Sequence, residues 1–481
     1  MGFEIKSLPS KEVGGSGVFC SWNALHNPII FEFERKDCVI DSVADNGGFV
    51  ELTMLTPYSL TEILVGDSIG LFTDVYNGSF EVTNVISNTV LVLDLAYSSS
   101  ASGYIILNKR KNYYLSSKIQ WNNPTTDTFE TIATSINQAD TANIIKVNSA
   151  PFLKKVVNTI DTYDYAGLNE KRTDYSGKFS LNVTEYFDND NGSNMSEAFI
   201  GDFFYVNSAR QIQQKYGSNL AEHFMLEEVP ENAKILSMFL QPTFFKGFPF
   251  CITFILSNNV ASSTLNCDFT AKYNDGSELS EFTGLDFSQE NYLNSITILP
   301  NDAFLFDTDA FLFNANVIEF FIFRDNPTFL QYTQTFTIDY DEKCHDNPVY
   351  LNWLGTDGSR NFWLFDALQT IGIDVQLNAS YEKYIDILET SQGSIVDLER
   401  TARPTIALGG QIEISKIEGL KSLLYSIDVL MLVNPTTWQD DGVKWQKVRV
   451  VPASFKLYDT DQITAEFQLT IQLENINIQI Q

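Results

Sequence analysis

Histidine, cysteine and carboxylate side chains are the first candidates for chemistry, and metal binding is the chemistry they could share. The chain has three histidines far apart in sequence: His26, His223 and His345. Only His345 has neighbours of ligand type, in Cys344-His345-Asp346. Adjacent residues of a strand point to opposite faces, so Cys344 and His345 would reach one metal only from an irregular turn, and no second pair completes four ligands. We expect no metal and no Cys-His nucleophile there.

An acidic stretch, Asp188-Asn-Asp-Asn-Gly192, is similar to a calcium-binding loop. Such a loop has its glycine sixth and a glutamate twelfth. Here the glycine is fifth, and Phe199 occupies position twelve. We interpret the stretch as a polar turn, and whether calcium binds there with ligands from elsewhere in the fold stays open.

Two aspartate pairs, Asp307/Asp309 and Asp440/Asp441, have the residue types that glycoside hydrolysis requires. Aspartate is abundant in this chain, so such pairs arise without any catalytic role. The sequence lacks the Gly-x-Ser-x-Gly elbow of serine hydrolases and the glycine-rich motifs that bind phosphates or dinucleotides. We therefore expect no enzyme activity and no cofactor, with a polysaccharide depolymerase as the least favoured alternative.

Tryptophans are the remaining candidates, because their rings stack on sugars. The chain has six: Trp22, Trp121, Trp353, Trp363, Trp438 and Trp445. In a β protein, large aromatic residues more often lie in a core or an interface. We expect the core or interface role, and contact with a host-surface glycan is the alternative.

Charge and cysteine content restrict the partners and the compartment. Lys and Arg total 31 against 61 Asp and Glu, a net charge of −30, and such a surface repels the phosphates that a nucleic-acid binder must neutralise. The start of the chain lacks a signal pattern, and no stretch has the ~20 apolar residues of a membrane span. The five cysteines, with no Cys-x-x-Cys pair, indicate reduced thiols made in a cytoplasm.

Aromatic residues make up 13% of the chain, with 37 Phe and 21 Tyr, which favours pleated sheets over helices. We predict a mainly β protein, with several β-sandwich or small-barrel domains in tandem and a few short helices. Residues 1–118 form the first predicted β domain, because short apolar runs alternate with turn signals. Four compact runs within it predict a small-barrel-like insert near 60–108.

The second predicted domain, 119–232, is β-rich with a short helix near 207–216, where good helix formers precede Gly217. A further helix is predicted at 125–140 from apolar residues at helical spacing, although the threonines there favour a strand.

The third predicted domain, 233–345, is a β-sandwich, because long aromatic runs are spaced by Asn, Asp and Gly. The fourth, 346–481, is a β domain with an amphipathic helix near 415–426. Apolar residues alternate to the end of the chain and predict a long last strand: Phe467, Leu469, Ile471, Leu473, Ile476, Ile478 and Ile480. Such a hydrophobic last strand invites a partner.

Several stretches resemble virion, tail or baseplate-type structural proteins of bacteriophages that infect Bacteroidetes. The least common is Val349-Tyr-Leu-Asn-Trp-Leu-Gly355, followed by Gly358 and Phe362-Trp-Leu-Phe365. The other similar stretches are 21–23 with 27–33, 176–186 with 204–211, 340–344, and 445–450. None contains catalytic residues, and the insert near 60–108 is outside the resemblance.

The resemblance implies a structural subunit of a virion, in the tail, baseplate or neck, that is assembled in the host cytoplasm. We expect a homo-oligomer, a ring or trimer, with contacts to other virion proteins and no nucleic acid or membrane span. The aromatic residues expected in cores or contacts are Tyr350, Trp353, Trp363, Trp445 and Phe455. The alternative function is a host-receptor or glycan-binding tail-fibre module.

Overall fold

The structure is a computed structural model of the chain, and it describes residues 2–9, 12–13, 18–19, 21–55, 62–157, 169–173, 175–189, 192–194, 197–210, 220–223, 225, 231–256, 265–284, 293–298, 315–325, 328–343, 345, 347–385, 395–433, 444–451 and 463–474. Strands dominate these residues, with several sheets, one small barrel and a few short helices, which confirms the predicted fold class.

The chain forms two compact units, each discontinuous in sequence. Unit 1 comprises Met1–Val156, Gly177–Tyr205 and Ile212–Asn219, and unit 2 comprises Val157–Ser176, Val206–Gln211 and Leu220–Gln481. The division into four domains at 118, 232 and 345 stays a prediction.

The strands of the first part of the chain are β1 (Phe3–Ser7), β2 (Glu12–Val13), β3 (Val18–Phe19), β4 (Trp22–Ala24), β5 (Ile30–Arg35), β6 (Cys38–Asn46), β7 (Phe49–Met54), β8 (Ser68–Thr73), β9 (Asn77–Val85), β10 (Val90–Ala96), β11 (Gly103–Leu107), β12 (Lys111–Asn123), β13 (Thr128–Gln138), β14 (Ile144–Asn148), β15 (Asn169–Lys171), β16 (Ser176–Asn189), β17 (Gly192–Asn194) and β18 (Glu197–Val206). A short helix, α1 (Ala150–Leu153), follows β14.

The later strands are β19 (Thr243–Phe245), β20 (Phe250–Ile255), β21 (Leu265–Tyr273), β22 (Glu278–Gly284), β23 (Leu293–Ile298), β24 (Ala315–Arg324), β25 (Leu330–Gln331), β26 (Phe336–Asp341), β27 (Val349–Leu354), β28 (Arg360–Phe365), β29 (Ala367–Glu382), β30 (Ile395–Glu413), β31 (Val429–Val433), β32 (Lys444–Val450) and β33 (Thr464–Gln472). The helical elements here are the 3-10 turn Ala221–His223, the helix α2 (Ile414–Lys421) and the 3-10 turn Ser422–Leu424.

Unit 1 contains a closed six-stranded barrel with strand order β10-β7-β6-β11-β8-β9. Alternate residues point inward, and the resulting core contains Leu52, Leu71, Leu91, Leu93 and Ile105, all fully buried. The barrel extends from β6 to β11, so it includes two strands that precede the predicted insert near 60–108.

The two chain ends of the barrel meet at one buried carboxylate. Asp37, the residue before β6, lies 2.9 Å from Arg35 Nη2 and 3.1 Å from Arg110 Nη1. Leu107, the last residue of β11, donates its backbone N–H to Asp37 Oδ2 at 2.7 Å. The ion pairs therefore hold together the points where the chain enters and leaves the barrel.

The other large sheet of unit 1 has the order β13-β12-β16-β18-β4, with β17 beside β16. The helix predicted at 125–140 is wrong, because β13 pairs with β12 from Asn123↔Thr128 to Tyr114↔Gln138. Its β-branched threonines and isoleucines suit a pleated strand better than a helix, and the long cross-strand ladder overrides the helical spacing.

The described residues of unit 2 form three sheets, of orders β15-β23-β20, β19-β26-β24-β21-β22 with β25 beside β24, and β28-β27-β31-β32-β33-β30-β29. The helix α2 with its following 3-10 turn lies where a helix was predicted near 415–426. It buries Ile417, Leu420 and Leu423 against the seven-stranded sheet. The helix predicted near 207–216 falls mostly outside the described residues, and its described part, 207–210, is not helical.

Candidate assembly surface

The histidines do not form a site with one another among the residues that the structure describes. His345 Nδ1 lies 2.8 Å from Asp366 Oδ2, but its neighbours Cys344 and Asp346 are outside the described residues. His223 is buried and its Nδ1 lies 2.7 Å from the Lys234 carbonyl oxygen, and this burial lowers the pKa of His223 to about 4. In the described part of the chain, no group of three or more His, Cys, Asp or Glu is placed to hold a metal ion.

The carboxylate candidates give no catalytic geometry that can be described. Asp307, Asp309, Asp440 and Asp441 all fall outside the described residues. Of the calcium-like stretch, Asp188 accepts a hydrogen bond from Asn112 Nδ2 at 2.8 Å, while residues 190 and 191 are not described.

Four of the five predicted core or interface aromatics are described, and they lie in or against the core of unit 2. Tyr350 is fully buried, donates its hydroxyl to the Pro249 carbonyl oxygen at 2.7 Å, and burial raises its pKa well above the usual value. Trp353 is also fully buried, with its Nε1 donating to Ser422 Oγ at 2.7 Å. Trp363 and Trp445 are half-buried and pack against the core cluster that contains Tyr350, and Trp363 also packs against the one that contains Trp353. Phe455 is outside the described residues. These aromatics therefore position sheets rather than form an exposed site.

The most unusual surface belongs to the hairpin β29–β30, which we call the arm. Its strands pair from Ala367↔Gly409 to Glu382↔Ile395. The neighbouring strand β33 pairs with β30 only from Thr405 to Glu413 within the described ladder. Among the described residues, 372–382 and 395–404, which we call the distal arm, therefore pair only with each other.

One face of the arm carries four apolar residues at every second position, which we call the apolar stripe. Ile371, Ile373, Val375 and Leu377 are 79%, 61%, 57% and 51% exposed. Their cross-strand partners are Ile406, Pro404, Ala402 and Arg400. Opposite residues of an antiparallel pair share a face, so apolar partners widen the stripe along most of its length. Covering it would contribute on the order of 1–2 kcal/mol per side chain.

The other face of the arm is polar. Gly372 lies opposite Thr405, Asp374 opposite Arg403, and Gln376 opposite Thr401. The arm is thus amphipathic, like an antiparallel sheet that packs one face against a core and exposes the other to solvent. In this chain the apolar face of the arm is exposed instead.

The stripe continues the core-facing side of the sheet. Ile371 lies opposite Ile406, which lies opposite Ile471, and the exposure falls from 79% at Ile371 to none at Ile471. The same row of apolar residues therefore begins in the core of unit 2 and ends in solvent. A two-stranded ribbon is marginally stable by itself, and an exposed apolar face on it is a candidate contact surface.

Sequence reasoning did not single out the arm, although the signal is present. Ile371-Gly-Ile-Asp-Val-Gln-Leu377 alternates apolar and polar residues without interruption. That pattern identifies a strand with one apolar face. It does not reveal that the face lies beyond the core, because that depends on where β33 stops pairing.

Comparisons with known proteins give no relative: no protein-family model matches the chain, and no curated protein is significantly similar to it. Among the described residues, none of the helices has the length and apolarity needed to cross a membrane.

Proposed function

We propose that this protein is a structural subunit of a bacteriophage virion, in the tail, baseplate or neck, and that it acts by assembling with copies of itself and with neighbouring virion proteins. The observation that carries the self-assembly part of the proposal is the apolar stripe of the arm. The virion placement rests on the sequence resemblance centred on residues 349–365.

Three further features support an assembly role. The arm ends the seven-stranded sheet with β29, an edge strand whose outer backbone groups offer a ladder to another chain. Its polar face would stay in solvent while the stripe is covered. The net charge of −30 keeps unassembled subunits apart until a specific contact overcomes their repulsion.

The host-binding alternative receives no support from the tryptophans, although other aromatic rings, such as Tyr384 and Tyr425, are exposed. A shallow glycan site needs an exposed aromatic ring. The five described tryptophans, Trp22, Trp121, Trp353, Trp363 and Trp445, are all buried or half-buried. A glycan array on the full-length protein tests this alternative directly, and specific sugar binding would favour it.

The first test is light scattering on the purified full-length protein across micromolar concentrations, with negative-stain images of the same samples. We expect a defined symmetric species, a ring or a trimer, whose fraction rises with concentration. A monomer at every concentration would overturn self-assembly through the arm.

A matched pair of variants connects that assembly to the stripe. Ile373→Asp puts a charge on the apolar face, and Gln376→Asp puts the same charge on the polar face three residues away. Both side chains are exposed, so both variants should fold. We expect Ile373→Asp to weaken association at least about tenfold, since it adds an unpaired charge to the contact. Gln376→Asp should assemble as the parent does, and equal behaviour of the two variants would contradict a role for the stripe.

A separate measurement tests the virion placement. Mass spectrometry of purified phage particles from a host that carries this gene should find its peptides at a fixed ratio to the other particle proteins. Peptides found only in the lysate, and not in particles, would exclude the virion role while leaving self-assembly intact.

A further inference from the structure

The seven-stranded sheet of unit 2 opens into a groove between β32 and β33. Among the described residues, the two strands pair at only two positions, both at the end of β32. On its other side, β32 pairs with β31 from Lys444 to Val448. Before Arg449, β32 therefore has no described ladder on the side of β33, and a strand edge of this kind accepts another strand. The groove has a volume of about 800 Å³.

The two faces of β32 present opposite chemistry to the groove. Successive side chains of a strand point to opposite faces. Lys447 and Arg449 therefore lie on one face, and Val448 and Val450 lie on the other. All four residues line the groove. The groove is thus basic on one side of the strand and apolar on the other.

Two arginines converge on the basic side. Arg449 of β32 is directly across from Gln472 of β33, and opposite residues of antiparallel strands share a face. Arg403 of β30 donates to Gln472 Oε1 at 3.4 Å, so it reaches the same side. Arg403 also has Asp374 across from it on β29. Arg449 is exposed and has no ion-pair partner in the part of the chain that the structure describes.

The remaining charges leave the groove positive. Lys447 Nζ lies 3.2 Å from Asp428 Oδ1, and the same buried carboxylate accepts a hydrogen bond from Arg360, so two cations share one acid. Of the described residues that line the groove, three are cationic and only Glu474 is acidic. In a chain with 31 basic and 61 acidic residues, this lining reverses the overall charge. The groove is therefore complementary to an acidic partner.

The rest of the lining favours a peptide over an anionic polysaccharide. It is largely apolar, and Ile427 is 65% exposed. No aromatic ring, on which a sugar would stack, is among the described lining residues. Tyr425 is exposed between two lining residues in sequence, but it does not line the groove itself.

We propose that the groove binds an extended acidic segment of a neighbouring virion protein, which adds to the open edge of β32 as a further strand. Carboxylates of the segment face Lys447 and Arg449, and the apolar side chains between them face Val448 and Val450. In this mode of recognition, main-chain hydrogen bonds supply affinity and the alternate side chains supply specificity. The inference rests on the proposed function and names the chemistry of one neighbour.

Synthetic peptides test the groove on the full-length protein by isothermal titration calorimetry. The first probe alternates glutamate and valine, and the second has the same composition with all its glutamates in one block. We expect the alternating peptide to bind at least about tenfold more tightly than the block peptide, because only alternation places every acid on the basic face. A peptide that alternates lysine and valine should not bind, and binding of the first probe should weaken as salt increases.

A matched pair of variants locates the binding. Arg449→Glu reverses one exposed charge of the groove, and Lys343→Glu makes the same kind of change at an exposed residue of unit 2 outside it. Both variants should keep the parent's melting temperature. We expect Arg449→Glu to bind the alternating peptide at least about tenfold more weakly and Lys343→Glu to bind it as the parent does. In the parent, the bound peptide should also slow hydrogen exchange in the segment Lys444–Val448.

The other results each overturn the proposal. If the alternating peptide does not bind the parent, or binds Arg449→Glu equally well, the groove is not its site, and self-assembly through the apolar stripe is unaffected. If polygalacturonate binds and the peptide does not, the occupant is a sugar. If Arg449→Glu weakens self-association in the absence of peptide, the occupant is a second copy of the chain.

Discussion

The barrel and the arm use the same alternation of apolar and polar residues and reach opposite outcomes. In the barrel, Leu52 and Leu93 point inward and are fully buried. In the arm, Ile373 and Val375 point outward from a two-stranded ribbon and are mostly exposed. Each barrel strand has a neighbour on both sides, whereas β29 has one neighbour in the described sheet.

The difference shows that the alternation determines only that one face is apolar. Whether that face is covered within the chain depends on closure of the sheet, which removes edges and encloses the apolar side. The closed barrel covers its own apolar face. In the arm the apolar face stays exposed in the described structure, and under the proposed function its residues would serve association where those of the barrel serve stability.

The largest effect is expected at the neck of the barrel. Asp37→Ala leaves Arg35 and Arg110 without their shared buried carboxylate. Loss of one partner from a buried ion pair costs about 3–5 kcal/mol. Hydrogen exchange measured by mass spectrometry should show faster exchange in the barrel peptides and unchanged exchange in the arm. Asp41→Ala, an exposed carboxylate on β6, is the control and should leave barrel exchange as it is.

A matched leucine pair compares burial in the two regions. Leu93→Ala should destabilise the barrel by about 2–5 kcal/mol, because it leaves a cavity in a closed core. Leu377→Ala on the arm removes the same atoms from a half-exposed site and should cost less than about 1 kcal/mol in the unassembled protein. Unfolding in guanidinium chloride, followed at dilute concentration, measures both. A loss at Leu377 as large as that at Leu93 would mean that the arm is covered within the monomer.

Thiol reactivity gives the smallest but most local contrast. Cys38 begins the first barrel strand, and burial raises the pKa of its thiol to about 12. At pH 8 it should therefore be labelled at least roughly a hundredfold more slowly than a cysteine introduced by Ile373→Cys, since the thiolate is the reactive form. Labelled peptides identified by mass spectrometry separate the two sites. Labelling of the introduced cysteine should slow on assembly, and unchanged labelling in the assembled state would contradict burial of the stripe.

Several elements were predictable because their signals are local. The last strand was predicted from its alternation, and Phe467, Leu469 and Ile471 are buried in the described part of it. The helix near 415–426 was predicted because Ile417 and Leu420 share a face, and both are buried. Periodicity over a dozen residues is sufficient for this kind of inference.

Other features were not predictable because they depend on pairing between distant segments. The 125–140 segment has apolar residues at helical spacing, yet its partner strand β12 determines its conformation. The predicted start of the barrel, near residue 60, lies too far along the sequence. Two of its strands, β6 and β7, precede the apolar runs on which the prediction was based. A surface groove of unit 2 is lined by both Arg403 on β30 and Arg449 on β32. These two strands are not neighbours in the sheet, because β33 lies between them. No local pattern records where a sheet stops pairing.

The junction at Asp37 also has an evolutionary consequence. The chain enters the barrel after Asp37 and leaves it at Leu107, whose amide hydrogen bonds to that same carboxylate. A module whose two ends are this close can be gained or lost in one recombination event, because a short turn can replace it without stretching the flanking strands. The barrel is therefore a separable module that recombination can add to or remove from the chain while the flanking strands keep their positions.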